Sequence, residues 1–322
     1  MYIKIIIAFI LDLIIGDPKY RFHPVRIIGN LITYFEIIFR DISKNQKLNG
    51  ILFASFIISI SSIPLSILLF FLSSLGYTVI QIINFLIIIY FIYSLLSIKD
   101  LCKKAKEIHF LLSKKKIVKA RQKLSLIVGR DTKDLNIKEI IRATIETISE
   151  NTVDGIISPL FYCFLGGVPL MIIYKSINTL DSMVGYKNKK YIDFGWASAR
   201  IDDIFNFIPA RISGILIPLS FFMILKNGFR SFKIVIRDGN KNPSPNSGIP
   251  EAAFAGGLGV QLGGINYYKG EIVIKPDIGD KLKRLNIKHI KDSIKIVYIS
   301  SILFLIIGLL FLFLINYLSG KF

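Results

Sequence analysis

The sequence predicts an all-α, polytopic helical membrane protein with broken or re-entrant helices and a basic cytoplasmic helical insertion. Three observations carry that prediction. The 322 residues are 52% hydrophobic, with a mean hydropathy of +0.57, which excludes a disordered chain and is unlike a soluble enzyme of this size. The apolar residues gather in runs, several of them as long as the about 20 residues needed to cross a bilayer. The 41 Lys and Arg against 22 Asp and Glu, a net charge of +19, lie mostly between those runs, as the positive-inside rule expects of cytoplasmic loops. No nucleic-acid-binding motif accompanies this charge. Cys102, Cys163, His23, His109 and His289 share no metal-ligand or disulfide spacing.

Taken in order, Ile3 to Ile15 is apolar apart from Lys4 and Asp12. Gly16-Asp17-Pro18 follows where a signal peptide would carry small cleavage-site residues, so a retained first membrane helix is expected. Ile51–Leu75 and Tyr77–Ile98 are two spans hinged at Gly76. Lys99–Glu150 is crowded with lysine, yet Ile108, Leu111, Leu112, Ile117 and Leu124 recur at helical spacing, which predicts amphipathic helices. Asp134–Ile148 reads as a further helix. Gly155–Thr179 and Asp203–Leu225 are apolar but interrupted by Pro159, Gly166, Gly167, Pro169, Pro209, Gly214 and Pro218. Such segments survive in a bilayer only where protein or a polar cavity satisfies their backbone. Ile294–Leu318 is a last clean span, giving six in all. Within one integrated domain the chain divides into N-terminal membrane helices (1–98, with a surface motif at 16–26), the basic region (99–150), the broken helices with catalytic motifs (151–225), a polar Pro/Gly-rich substrate loop region (226–293) and the C-terminal helix (294–322).

Four stretches carry residues suited to chemistry. Asp17, Arg21, His23 and Arg26 gather around Pro18 and Pro24 at the membrane surface, as a site or as a charged interfacial turn. Glu150-Asn151-Thr152-Val153-Asp154 brings hard oxygen ligands to the start of a broken helix, where Asn151 or Asp154 also suits helix capping. Asn178 to Arg211 holds Asp181, Tyr186, Asp193, Trp196, Arg200, Asp202, Asp203, Asn206 and Arg211. Ionisable residues beside apolar segments are costly and so default to function, although Arg200 and Asp203 suit a helix ion pair and Arg211 can snorkel. Finally, Arg237 to Gly248 is a polar loop opening onto a small-residue helix that begins near Pro250, a plausible anion cradle with Arg237 and Lys241. Its Gly256–Gly264 glycines are not a P-loop, and close helix packing explains them equally well. No nucleophilic triad is present.

In this order, the stretches resemble the adenosylcobinamide-phosphate synthase family of cobalamin biosynthesis. The resemblance is carried by Gly16-Asp17-Pro18, His23-Pro24-Val25-Arg26, Glu150-Asn151-Thr152-Val153-Asp154-Gly155, Asn178-Thr179-Leu180-Asp181-Ser182-Met183-Val184-Gly185-Tyr186, Ala199-Arg200-Ile201-Asp202-Asp203, Asn242-Pro243-Ser244-Pro245-Asn246-Ser247-Gly248, Pro250-Glu251-Ala252 and Gly263-Gly264-Ile265-Asn266-Tyr267-Tyr268. It implies an ATP-dependent ligase joining adenosylcobyric acid to (R)-1-aminopropan-2-ol O-phosphate, with ATP as co-substrate and Mg2+ as cofactor. On that basis Asp154, Asp181, Asp202 and Asp203 are candidate magnesium ligands. His23, Glu251, Arg200 and Arg211 are candidate catalytic groups, with His23 or Glu251 taking the proton of the attacking ammonium and the arginines steadying phosphate. Arg26, Asn151, Arg237, Lys241, Asn246 and Tyr267 are candidate substrate- or phosphate-binding residues, and Tyr186, Trp196, Tyr267 and Tyr268 suit a corrinoid face. The expected partners are the corrinoid, the aminoalcohol phosphate, the lipid bilayer and other corrinoid-pathway enzymes, with no nucleic acid.

The expected location is the cell membrane, multi-pass, with the active site facing the cytoplasm. A six-span count puts Asp181–Asp202 outside, whereas ATP is cytoplasmic. A paired re-entrant hairpin from the two interrupted segments would reconcile them. A transporter or flippase for a corrinoid or other anion, and a scaffold for corrinoid enzymes, are the alternatives.

Overall fold

The computed structural model describes residues 1–16, 20–186 and 188–320; Asp17 and Pro18 of the first motif lie outside them. Helices form at Tyr2–Ile14 (α1), Pro24–Arg40 (α2), Gln46–Ser74 (α3), Thr78–Leu95 (α4), Ile98–Ser113 (α5), Ile117–Leu124 (α6), Ile137–Thr152 (α7), Ser158–Val184 (α8), Trp196–Phe205 (α9), Phe207–Leu225 (α10), Gly228–Asp238 (α11), Gly248–Leu258 (α12) and Ile287–Leu318 (α13). A π-turn at Val153–Ile157 joins α7 to α8, and strands Leu262–Tyr268 (β1) and Glu271–Ile278 (β2) form an antiparallel hairpin.

Five helical stretches among the described residues are long and apolar enough to cross a membrane: Gln46–Ser74, Thr78–Ser113, Ile137–Val184, Phe207–Leu225 and Ile287–Leu318. The six-span expectation is corrected at the first helix. α1 has 13 residues, about 20 Å at the α-helical rise, against a hydrocarbon core of about 30 Å. The basic region is helical as expected, in α5 to α7. Asn136 and Glu139 start α7 with a reciprocal capping box, which satisfies amide donors that the first turn leaves open. The interrupted segment is broken where its glycines lie. Gly166 and Gly167 leave helical geometry inside α8, and Gly167 takes φ +65°, a region closed to most side chains.

The all-helical class holds, with little sheet. In the polar region 226–293 the small-residue helix expected near Pro250 is α12, and α11 and the β-hairpin are additions to that reading. The Lys269-Gly270 turn has φ of +52° and +82°, the sign pattern of a two-residue type I′ turn whose twist matches the strands. A register shift between Leu262 and Gly264 breaks the alternation by which a strand is recognised in sequence.

The chain packs as two compact units. The first comprises Met1–Ser97, Ser158–Asn206 and Gly308–Phe322; the second comprises Ile98–Ile157 and Phe207–Ile307. In the first unit α3 packs on α8, α2 and α9, and α1 packs on α4. Gln81 donates its side-chain amide to the carbonyls of Leu72, Ser73 and Leu75, closing the end of α3 at the Gly76 turn. In the second unit α10, α11 and α12 pack on one another, and α7 packs on α5, α6, α12 and β1.

Gly50 of α3 lies against the backbone of Phe194, where a Cβ would fall 1.9 Å from the carbonyl oxygen, whereas a Cβ at Gly76 would meet nothing within 4 Å. Gly50→Ala should therefore lower the melting temperature in detergent by an amount equivalent to about 1–3 kcal/mol, the usual cost of overpacking. Gly76→Ala should leave it near the parent value. Equal melting of both variants would contradict the close approach.

Candidate functional site

Arg142, Glu146 and Glu150 stand at successive four-residue steps along α7, so they share one helix face. In the second unit that face meets β1. Arg142 donates Nη1 to the Gly263 carbonyl and Nη2 to the Ile265 carbonyl at 2.7 Å and to Asn266 Oδ1 at 3.2 Å. Arg130, 5% exposed, pairs with the fully buried Glu146 at 2.6 Å and donates to Asn266 Oδ1 at 2.6 Å. The Gly263 amide donates to Glu146 Oε1 at 2.9 Å. Gly263, at φ +85°, permits this docking; a Cβ there would fall 2.1 Å from the Pro276 carbonyl oxygen. Burial opposes the charge of Arg130, but Glu146, Tyr268 and Glu150 outweigh it and raise its pKa.

Glu251, in the first turn of α12, is 1% exposed. Its Oε2 accepts from Asn242 Nδ2 at 3.1 Å. Its Oε1 is buried without a hydrogen-bond partner among the described residues. Lys275 of β2 stands 3.8 Å from Glu251 Oε1 and 3.8 Å from Glu150 Oε1, and Glu150 is 35% exposed. At 3.8 Å the ammonium contributes charge but no hydrogen bond. Burial pushes the Glu251 carboxyl well above the ordinary glutamate range, and the nearby Glu150 charge pushes it further, against the pull of Lys275. For Lys275 burial lowers the pKa, but Glu150, Glu251 and Glu146 together raise it, so it stays charged. Two carboxylates of different exposure thus face one cation, an arrangement that can accept a proton and hold it out of water.

The other expected residues fall into three groups. In the second unit, Arg211 donates to Asn246 Oδ1 at 2.9 Å and to the Phe207 carbonyl at 3.0 Å, with its guanidinium 3.5 Å from the Phe207 ring centroid. The loop that supplies Asn246 is knit by Asn242 Oδ1 accepting from the Ser244 amide and Ser244 Oγ accepting from the Asn246 and Ser247 amides. Arg237 and Lys241 both close on the buried carboxylate of Asp238, at 2.7 Å each, and Arg237 also reaches Asp280 at 2.9 Å. The Arg237 guanidinium, with Lys241 and the Gly279 amide, holds Asp238 well below the usual carboxylate range. Asn151 donates back to the Thr147 carbonyl, Asp154 sits in the π-turn, and Tyr267 is half exposed on β1.

In the first unit, His23 is buried just ahead of α2, and Arg26 lines a cleft of about 530 Å³ with Arg21, Asn30 and Thr33. Asp202 accepts from Asn206 Nδ2 at 2.9 Å and from Asn178 Nδ2 at 3.5 Å, while Asn206 Oδ1 accepts from the hydroxyls of Ser158 and Tyr174. The segment from Asn178 to Asn206 is therefore tied together by amides around one carboxylate. Asp181, Asp202 and Asp203 are partly exposed, Arg200 is exposed, and Lys47 lies over the Trp196 ring at 4.0 Å. Among the described residues, no three His, Cys, Asp or Glu side chains gather in a way that would hold a metal ion without further ligands.

Sequence reasoning did not single out Arg130, Arg142, Glu146, Asn266 or Lys275 for roles, and it left Glu150 in a motif without one. The four-residue spacing of Arg142, Glu146 and Glu150 beside Ile141, Ile145 and Ile148 was the available signal, because charge inside an apolar stripe demands partners. Lys275 and Arg130 had none, since their partners lie far away in the chain.

The model of the CobD/Cbib protein family matches residues 5–297. A protein of Clostridium tetani named "Cobalamin biosynthesis protein CobD" is 48% identical over 95% of this chain and 96% of its own length. A protein of the same name from Clostridium acetobutylicum is 48% identical over 95% and 96%, and one from Leptospira interrogans is 44% identical over 93% and 94%. No solved structure matches the chain.

Two outcomes follow for stability. A carboxyl whose folded pKa lies above the unfolded value of 4.5 binds more protons folded than unfolded, so its contribution falls as pH rises from 4.5 toward the folded pKa. Glu251→Gln should accordingly gain stability on the parent as pH rises through that window, read by thermal melting; parallel pH profiles would contradict the shift. Arg130→Ala strands a buried carboxylate and should cost about 3–5 kcal/mol, and a loss under about 1 kcal/mol would contradict the Arg130–Glu146 pairing.

Proposed function

The chain belongs to the CobD/Cbib family, and on that premise we propose that it is an ATP-dependent ligase of cobalamin biosynthesis. It would join a corrin-ring propionate of adenosylcobyric acid to (R)-1-aminopropan-2-ol O-phosphate, giving adenosylcobinamide phosphate. The observation that supports this best is the Glu150–Lys275–Glu251 arrangement, beside the near-full-length identity to proteins named for cobalamin biosynthesis.

Amide formation from a carboxylate needs activation and then removal of a proton. The substrate carboxylate attacks the γ-phosphorus of ATP, releasing ADP and forming an acyl phosphate. The amine attacks the acyl carbon and phosphate leaves with the bonding pair. The ammonium must first give up a proton. Glu150, part exposed, and Glu251, which burial beside Glu150 makes more proton-hungry than an ordinary glutamate, are placed to accept it. Lys275 keeps the pair from carrying two uncompensated charges. His23 is the alternative acceptor in the first unit. Arg26 and Arg200, which are exposed, suit contact with phosphate oxygens.

Asp181, Asp202 and Asp203 of the first unit are hard-oxygen donors that are neither fully buried nor fully exposed, and so, taken by itself, is Asp154 of the second. One or two such carboxylates, with phosphate oxygens, are the usual ligands of a magnesium ion. Held by either set, magnesium would neutralise phosphate charge during transfer. A second reading, a transporter for a corrinoid or other anion, draws on the break at Gly166-Gly167 in a helix long enough to span.

The test is purified protein in detergent with adenosylcobyric acid, aminopropanol phosphate, ATP and magnesium, analysed by mass spectrometry. The condensed corrinoid and ADP should appear only when all four are present. Glu251→Gln should lower the rate by about 10²–10⁴, the range for general acid–base groups. Corrinoid movement across vesicles without a new amide bond would replace the ligase by the transporter. Undiminished activity in an Asp202→Ala/Asp203→Ala double variant would remove those acids from magnesium binding.

A further inference from the structure

The second unit contains a cleft of about 650 Å³, within the size range of small-molecule sites. It lies beside the α7–β1 contact and is bounded by the loop between β2 and α13. Five cations line it: Lys138 and Arg142 from α7, and Lys281, Lys283 and Arg284 from the loop. Among the described residues Asp277 is its one acidic lining residue. Arg142 is committed to the carbonyls of β1. Lys138, Lys281, Lys283 and Arg284 take part in no ion pair among the described residues. The protein has thus gathered four cations outside ion pairs around one concavity that Asp277 alone offsets among the described residues, and this excess raises the local concentration of anions there.

We propose that this cleft is a binding site for a phosphate-rich anion. Like charges crowded on a concave surface repel one another unless an anion offsets them. A chain of phosphates offers several negative oxygens along an extended line, and Arg284 and the lysines can meet these with charge-assisted hydrogen bonds. The exposed side chain of Leu282 and the neighbouring Leu285 add an apolar wall, which suits the base of a nucleotide. Two sources share this chemistry. A nucleoside triphosphate in solution is one, and naming it rests on the ligase reading. The headgroup of an anionic lipid is the other, since the loop leads directly into the apolar helix α13. The cleft is separate from Arg237 and Lys241, whose charges are taken up by Asp238.

The test is equilibrium binding to the full-length protein in detergent, without corrinoid or amine. The probes are inorganic tripolyphosphate, ATP, and mixed micelles with or without phosphatidylglycerol. The variant is Lys281→Ala/Lys283→Ala/Arg284→Ala, whose side chains are exposed, with melting temperature as the control for folding. Should it fail to fold, Lys281→Gln and Arg284→Gln carry the same comparison singly. Binding of tripolyphosphate and ATP that the substitutions weaken on the order of tenfold or more, as loss of charge-assisted hydrogen bonds predicts, establishes the site with a soluble source. Binding of phosphatidylglycerol alone that weakens likewise establishes it with a lipid source. Affinities unchanged by the substitutions for every probe, or no binding of any probe to folded parent protein, overturn it. Because no ligase step is read, an inactive ligase leaves the binding result standing. Conversely, full ligase activity in the triple variant with unchanged ATP binding removes this site and spares the ligase.

Discussion

Carboxylates can be taken out of water only if cations or hydrogen-bond donors come with them, and that requirement organises the second unit. α7 brings Glu146 and Glu150 along one face, and α12 brings Glu251. Arg130, Arg142, Lys275, the Gly263 amide and Asn242 answer them. The pairs join two loops, two helices and both strands of the hairpin. Removing Arg130 in particular leaves the buried Glu146 carboxylate without its close cation, a costly defect in a folded chain. This explains why the hairpin needs a bulge and glycines at positive φ: without them the backbone could not come close enough to α7 for Gly263 to donate to Glu146 and accept from Arg142.

The glutamates differ in what surrounds them, and the difference assigns their work. Glu146 has an arginine at 2.6 Å and a backbone amide at 2.9 Å, so it holds the hairpin. Glu251 has one amide donor and a cation too distant for a hydrogen bond, so its neutral form is favoured. Identical side chains in unlike environments thus do unlike work, one tying strand to helix and the other binding its proton more tightly than usual. Asp238 shows the opposite limit. Three donors hold it as an anion: Arg237, Lys241 and the Gly279 amide.

Helical class, the apolar stretches and the basic helical insertion were legible because each rests on local periodicity or on charge between apolar runs. Glu251 was legible as a candidate because it stands in a motif that opens a small-residue helix. α1 was read as a span because composition was weighed without length: 13 residues of apolar helix look membranous but do not reach across. The β-hairpin was missed because Gly263, Gly264 and Gly270 dilute its alternation, and its turn carries Lys-Gly rather than the more familiar Asn-Gly. Lys275 and Arg130 were missed for a deeper reason. Their meaning is set by partners in other elements, and a single sequence gives no sign of such pairs.

The central claim is that Glu251 binds its proton more tightly than an ordinary carboxyl does, because it is buried between Glu150 and a distant cation. Infrared difference spectroscopy across a pH titration reads this directly, through the carbonyl stretch of a protonated carboxyl. The account predicts a band that persists above the ordinary glutamate range, about 4.3 in model peptides, and that is absent from Glu251→Gln. If every carboxyl band titrates within the ordinary range, or the persistent band survives in Glu251→Gln, the claim is contradicted.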